Sequence, residues 1–219
     1  MVSFIHGMLM ILLSTYAMLF QDSYCGSLIT KLEYNTMVLS SGYFMYDFLA
    51  MAYFGLLDFD MTVHHMMCIA GMLVTIYFGV GCNFVVAGLF IAEVSNPPMH
   101  MRIMLKHIGL RYSRAYEIAE FCYFGTFFLG RMVVGHPIVY STISCDKMNL
   151  LGKIVCAGVM AQSYQFLYRM YFIVVRRIEE INERNKKGIK IGFFTPIPQK
   201  ELDNCQFYLN TKKHQEKLP

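Results

Sequence analysis

Two adjacent histidines, His64 and His65, are the residues of this chain whose type and spacing point most directly to chemistry. An imidazole can act as a general base or as a nucleophile. Neighbouring positions on a helix point about 100° apart, so the two rings are expected to face different surroundings. Asp58 and Asp60 lie just before the pair, and we expect either to tether an imidazole. A doubled histidine beside acids is therefore the first candidate site.

Other polar side chains interrupt long apolar stretches at helical spacing. Residues three or four apart share a helix face, and residues eleven apart, about three turns, also share one. Three stripes follow: Tyr43 with Asp47, Glu120 with Arg131, and Gln162 with Gln165 and Arg169. Further polar candidates are Glu93 and Asn96. The stripes predict either a shared polar pocket inside a helical bundle or mutual pairing that only holds the helices together, and both interpretations stay open.

The elements that must position these residues are long and apolar. The chain of 219 residues is 56% hydrophobic and only 16% charged, with a mean hydropathy of +0.41. Soluble domains are typically about 45–50% apolar and about 25% charged. Apolar runs fill residues 1–175 and the remainder is polar. This distribution indicates a membrane-embedded domain followed by a solvated tail, and makes a large soluble helical protein the less favoured interpretation.

Six segments are predicted to be transmembrane helices. They are Val2–Phe20, Met37–Leu57, Thr62–Val80, Cys82–His100, Ala115–Tyr140 and Met148–Arg176. Gly79 and Gly81 predict a tight turn, and Pro97-Pro98 predicts that the fourth helix kinks or ends there. The fold class is therefore an all-α, multi-pass transmembrane bundle of about six spans. Its predicted regions are a first helix with its connection (1–36), a transmembrane core (37–177) and a polar, basic C-terminal tail (178–219).

The positive charges predict the orientation of the bundle. Fourteen Lys or Arg residues lie in the connection after the fourth span and in the tail, against three at the opposite face. Since positive residues favour the cytosolic side, both termini are expected to face the cytosol, or the matrix if the membrane is mitochondrial.

The cysteines predict neither a metal site nor a firm disulfide. No CxxC pair is present, so metal binding is unsupported. Cys25, Cys82 and Cys145 are expected at the face opposite the termini, where two of them could pair if that compartment is oxidising. The favoured interpretation is that all three are ordinary loop residues.

Three segments occur in an order that resembles the core of the TLC-domain family. They are the run from Ser41 to Asp47, the pair His64-His65, and the stretch from Glu93 to Arg102. The resemblance covers most of residues 39–177. The family includes ceramide synthases, translocon-associated proteins and small proteins implicated in membrane lipid composition. In the synthases the doubled histidine belongs to the site that transfers an acyl group from coenzyme A to a sphingoid amine, so the resemblance makes His64 and His65 the catalytic candidates for that activity.

The sequence also departs from the synthase pattern. The synthases share a later His-Asp-x-x-Asp element, whereas the corresponding region here, from Glu93 to Asn96, contains one acid. The small non-synthase branch is the closer match and implies lipid binding, sensing or movement, and a role in lipid homeostasis, without a defined reaction or a cofactor. Acyl-coenzyme A would be a substrate only under the acyltransferase alternative. The residues expected to line a lipid site are Tyr43, Asp47, His65, Glu93, Asn96, Arg131, Gln165 and Arg169.

The expected partners are membrane lipids. A second alternative makes the chain a structural subunit of a larger organellar assembly, such as a respiratory complex, with other membrane subunits as partners. Nucleic-acid binding is not expected, because the basic residues follow the membrane boundary. The family implies the endoplasmic reticulum, with the mitochondrial inner membrane as the alternative.

Overall fold

The computed structural model describes residues 2–21 and 24–215, with side chains described up to residue 210. Within these ranges the chain is helical, apart from turns and an isolated antiparallel bridge between Leu28 and Val80. The helices are α1 (Val2–Phe20), α2 (Lys31–Tyr53), α3 (Phe59–Phe78), α4 (Cys82–Glu93), α5 (Asn96–His107), α6 (Arg114–Phe127), α7 (Gly135–Ser144), α8 (Leu150–Lys187), α9 (Gln199–Leu202) and α10 (Gln206–Gln215). The predicted all-α class is confirmed.

Short polar residues begin several of the helices. Thr30 caps α2 and forms a reciprocal capping box with Glu33, which satisfies backbone N–H groups that the first turn leaves free. Asp58 and Ser113 cap α3 and α6 in the same way. These caps explain why α2 starts at Lys31 rather than at the predicted Met37: the capping box extends the helix by two turns into polar sequence.

Two glycines make the turn between α3 and α4. Gly79 and Gly81 adopt φ values of +67° and +81°, a left-handed backbone that glycine adopts without a steric penalty. The turn is fixed by a hydrogen bond from the Ile29 amide to the Gly79 carbonyl at 2.9 Å. The tight turn predicted from sequence is confirmed.

The fourth predicted span is broken. α4 ends at Glu93, and α5 begins at Asn96 with Pro97 and Pro98 in its first turn, where proline's missing N–H costs no helical hydrogen bond. The predicted kink is confirmed, but a continuous helix from Cys82 to His100 is not, because the prolines cannot donate to the carbonyls of the preceding turn.

A seven-residue π-helical segment, Phe128–Val134, joins α6 to α7 in one continuous rod. Such wide turns are rare and often occur at functional sites. Gly130 lies so close to α4 that a Cβ there would come 2.9 Å from the Ile91 carbonyl oxygen. The sequence did not predict this segment.

The helices pack into one bundle whose outer surface is apolar. α1 packs on α2, α4 and α5, α2 on α3, and α3 and α7 on α8. Many large apolar side chains point outward, as Leu12, Leu49 and Tyr77 do, which suits a surface in contact with lipid tails. Val2–Phe20, Phe59–Phe78 and the rod Arg114–Ser144 are each long and apolar enough to cross a membrane. The other predicted spans do not meet that measure within the described residues, so the count of six remains a prediction.

The disulfide corrects the interpretation that the cysteines are unpaired. Cys25, between α1 and α2, is bonded to Cys145, between α7 and α8, with Cα atoms 5.6 Å apart. Cys82 is buried and free. The two loops meet only because the bundle brings their helix ends together, a contact across 120 positions of sequence.

The tail folds back on the bundle rather than extending into solvent. α8 ends at Gly188, whose φ is +67°. The chain then accepts hydrogen bonds from the first turn of α6: the Arg114 and Ala115 amides donate to the Gly192 and Phe193 carbonyls at 2.9 and 3.0 Å. The tail therefore completes the N-terminal end of α6.

Candidate functional site

A layer of buried and half-buried polar side chains crosses the bundle. We define this polar layer as His6, Tyr43, Asp47, His64, His65, Glu93, Arg131, Gln162 and Ser163. Ser163 lies 13 residues beyond Leu150 on α8, about 20 Å at 1.5 Å per residue. A hydrocarbon core is about 30 Å thick. If Leu150 marks one boundary, the layer lies about 10 Å inside the boundary nearer the termini.

His65 is held at both ring nitrogens. Its Nδ1 lies 2.9 Å from the Met61 carbonyl oxygen, and its Nε2 lies 3.0 Å from an Asp47 carboxylate oxygen. A carbonyl oxygen can only accept a hydrogen bond, so Nδ1 carries a proton. A second proton lies between Nε2 and the Asp47 carboxylate. The His65 side chain is 3% exposed and joins α2 to α3. This arrangement leaves neither nitrogen available to a substrate.

His64 has a different environment. Its Nδ1 lies 3.3 Å from the amide oxygen of Gln162 on α8. Its Nε2 makes only a weak contact with the Cys68 sulfur, at 3.8 Å. The two rings meet edge to face, with centroids 5.8 Å apart. The expectation that the neighbouring rings face different surroundings is confirmed, and of the two, His64 is the histidine with a nitrogen free for chemistry.

Asp60 is the common partner of the three polar residues on α8. Gln162 donates to its backbone carbonyl and Gln165 to its carboxylate, each at 2.7 Å, and Arg169 forms an ion pair with the same carboxylate. Asp58 caps α3 instead. The prediction that Asp58 or Asp60 tethers a histidine is therefore wrong. Asp60, in the first turn of α3, faces α8, and the carboxylate that contacts His65 is that of Asp47.

A second group of polar contacts joins α1 to α2, α4 and α5. The ring of His6 stacks on Tyr43 with centroids 3.7 Å apart, and His6 Nε2 lies 3.9 Å from a carboxylate oxygen of Glu93. Glu93 accepts a hydrogen bond from Asn96 and is 1% exposed. Sequence reasoning missed His6; the signal available was a lone histidine inside an otherwise apolar span.

Arg131 projects inward from the π-helical segment. One of its terminal nitrogens donates to the Ser163 hydroxyl at 3.2 Å, and its guanidinium lies 5.0 Å from the centre of the Phe127 ring. It is 9% exposed. His64, Cys68 and Glu93 lie within the range of its electrostatic influence.

Glu120 shares the α8-facing side of the rod with Arg131, as predicted, but it belongs to a separate cluster. It pairs with Arg177 and with Arg102, while Arg184 pairs with Glu117 and Arg177 also pairs with Glu180. Arg177 lies 27 residues beyond Leu150, about 40 Å, and so outside a 30 Å core. The three predicted stripes therefore converge only in part. Each contributes to the polar layer through Tyr43 and Asp47, Arg131, or Gln162, whereas Glu120, Gln165 and Arg169 pair outside it.

The described residues contain no group of three or more His, Cys, Asp or Glu side chains suited to a metal ion. The layer's chemistry is that of imidazole, carboxylate, amide and guanidinium groups. Such groups can orient a polar ligand or transfer protons at a depth where water is excluded.

The fold and the polar layer define an all-α integral membrane protein. A family model described as a TLC domain matches residues 1–176, a segment that contains the whole polar layer. The chain belongs to the TLC-domain family. No solved structure matches it.

Proposed function

We propose that this TLC-domain protein binds a membrane lipid inside its helical bundle and serves lipid homeostasis, with the polar layer holding the polar end of the lipid. The observation that carries the proposal is the set of buried and half-buried ionisable groups that α1, α2, α3, α4 and the π-helical segment place inside the helical bundle. Ionisable residues inside a membrane are costly and mark functional sites by default.

The geometry favours binding over a reaction that uses both histidines. Both nitrogens of His65 are engaged, so it acts as a positioning residue for the α2–α3 pair. The later acidic element of the synthases is reduced here to Glu93, which accepts a hydrogen bond from Asn96. A layer built this way orients a ligand without requiring a co-substrate.

The test is native mass spectrometry of the full chain purified in mild detergent. Wild-type protein is expected to carry bound lipid, and Glu93→Ala is expected to lose most of it, because the change removes the carboxylate between His6 and Asn96. Glu179→Ala removes an exposed carboxylate from the solvated part of α8 and is the matched control. A wild-type protein that is free of lipid in every preparation contradicts the proposal.

A second candidate, acyl transfer from acyl-coenzyme A to a long-chain amine, is supported by His64 alone. Its Nδ1 is held by Gln162 while its Nε2 meets only a thiol at 3.8 Å, the arrangement that suits a general base. This activity requires turnover by wild-type protein in a lipid-rich assay and its loss in His64→Ala. Absence of turnover under those conditions removes this candidate and leaves lipid binding untouched.

We further propose residence in the endoplasmic reticulum with both termini in the cytosol. The disulfide between Cys25 and Cys145 supports this placement, because disulfides form in oxidising compartments such as the lumen of that organelle. The basic cluster at the opposite end, which includes Arg102 and Arg177, supports a cytosolic face there.

A further inference from the structure

Among the residues that the structure describes, Arg131 forms no ion pair. Five arginines at the cytosolic end and on α8 have a carboxylate within 4.0 Å, namely Arg102, Arg111, Arg169, Arg177 and Arg184. None of the ion pairs among the described residues includes Arg131, and its Nε has no hydrogen-bond partner there. A guanidinium does not lose its proton in a protein, so Arg131 carries a full positive charge inside the hydrocarbon layer.

The nearest acidic side chain of the layer is turned elsewhere. Glu93 accepts a hydrogen bond from Asn96 and approaches His6 at 3.9 Å, so its carboxylate faces α1 and α5 rather than the π-helical segment. Ser163 supplies a neutral hydroxyl and Phe127 an aromatic face. These contacts orient the guanidinium, but none of them is an ion pair, and a charge without a directly bonded partner is unfavourable in a low-dielectric site.

Resting on the proposed lipid-binding function, we infer that Arg131 receives the carboxylate of a long-chain fatty acid. A carboxylate matches the planar fork of a guanidinium through two parallel hydrogen bonds, and the buried Nε of Arg131 has no hydrogen-bond partner among the described residues. The single negative charge of the carboxylate neutralises the single positive charge. The layer lies about 20 Å from the far boundary of the hydrocarbon, which leaves room for an extended acyl chain alongside the helices.

The charge balance favours a carboxylate over a phosphate. A phosphomonoester carries about 1.5 to 2 negative charges near neutral pH, which would leave excess negative charge beside one arginine at this depth. The Ser163 hydroxyl that contacts the guanidinium and the adjacent Gln162 amide are neutral, so neither offsets it. A fatty acid leaves no such excess.

The experiment compares matched single-chain lipids on the delipidated full-length protein in detergent at pH 8, by competition in native mass spectrometry. The probes are palmitic acid, hexadecanol and palmitoyl lysophosphatidic acid. Wild-type protein is expected to bind the acid at least about tenfold more tightly than the alcohol, the size expected for a hydrogen-bonded charge pair. Palmitic acid is also expected to exceed the lysophosphatidic acid.

Two substitutions assign the preference to the guanidinium. Arg131→Met is expected to remove the preference for the acid while retaining binding of the alcohol, and Arg131→Lys is expected to keep part of it. Arg176→Met is the matched control, since Arg176 is exposed, donates to the Phe172 carbonyl of its own helix and lies outside the polar layer; it should leave the acid-to-alcohol ratio unchanged.

The wild-type comparison alone decides the inference if Arg131→Met does not fold. Equal binding of acid and alcohol overturns it, as does tighter binding of lysophosphatidic acid than of palmitic acid; both results still uphold the proposed lipid-binding function. Failure of all three probes to bind overturns the proposed function together with the inference.

Discussion

The two histidines show how one residue type takes two roles at adjacent positions. Both ring nitrogens of His65 are in hydrogen-bond contact, with Met61 and Asp47, whereas one ring nitrogen of His64 has no oxygen or nitrogen partner. The 100° between successive helical positions separates them: one ring faces α2 and the other faces α8. The doubled motif therefore provides one structural and one potentially reactive imidazole rather than a symmetric pair.

Asp60 is expected to contribute most to the packing of α3 on α8. Asp60→Asn removes the ion pair with Arg169 and replaces one acceptor oxygen with a donor, so we expect the free energy of unfolding to fall by about 1–2 kcal/mol, at the upper end for polar contacts in membrane bundles. Asp58→Asn is the control, because asparagine caps a helix about as well as aspartate. Unfolding in a denaturing detergent series measures both, and equal effects would contradict the role given to Asp60.

The identity of these polar residues could be predicted from the sequence, but their partners could not. Spacing placed Gln162, Gln165 and Arg169 on one face correctly. Whether that face met Asp60 or Glu120 depended on how far α8 slides past α3 and α6, which no local pattern encodes. His6 was missed for the same reason: its role exists only because α1 packs on α4.

At the scale of helices, the local sequence predicted where helices end better than it predicted which helices continue without interruption. The glycine turn after α3 and the proline break after α4 follow from backbone conformation. The π-helical segment does not, because its cause is tertiary: Gly130 packs against the Ile91 carbonyl, and Arg131 is positioned toward α8. The residues of this segment would suit an α-helix equally well, so the sequence alone does not indicate the change of register.

The disulfide is expected to stabilise the ends of α1, α2, α7 and α8 at the face opposite the tail. In wild-type protein, Cys25 and Cys145 should resist alkylation until a reductant is added, whereas Cys82 should be alkylated on denaturation alone. Cys145→Ser should lower the thermal unfolding temperature, and Cys122→Ser, at an exposed free thiol, should not. Full alkylation of Cys25 in unreduced, denatured protein would show that the bond does not form.

The docking of α10 on α8 is expected to depend on pH through Glu183. Slight burial opposes ionisation, but hydrogen bonds from Lys187 and from the Gln206 and Phe207 amides outweigh it and hold the pKa of Glu183 below its ordinary value. A lowered pKa means that the contact stabilises the fold above about pH 4.3, the unperturbed glutamate value, and is lost as pH falls through the folded pKa below it.

Hydrogen exchange measures this dependence. Protection factors at Gln206 and Phe207, which correct for intrinsic exchange, should fall between pH 5 and pH 3, and Glu183→Gln should show low protection throughout that range. Glu179→Gln changes a neighbouring exposed carboxylate and should behave as wild type. Protection that is independent of pH in the wild-type protein would exclude the contribution of Glu183.

On the scale of the whole molecule, the charged groups divide the bundle into two levels. Glu117, Glu120, Arg177, Glu180 and Arg184 form a mutually paired cluster where α6 meets α8, about 40 Å or more from the disulfide end. The polar layer lies between them at about 20 Å. A hydrocarbon layer of about 30 Å fits between the disulfide face and the ion cluster only if the polar layer lies inside it.

This arrangement predicts the sidedness of the chain. In sealed vesicles whose cytosolic face is outward, a membrane-impermeant maleimide should label Lys200→Cys, on exposed α9, without permeabilisation. Leu28→Cys, in the exposed connection before α2, should be labelled only after the vesicles are opened, since it lies at the disulfide face. Both variants are made in a background without Cys122, whose exposed thiol would otherwise react. If both positions react in intact vesicles, the two loops share a side, the bundle has an even number of crossings between them, and the depth assigned to the polar layer is wrong as well.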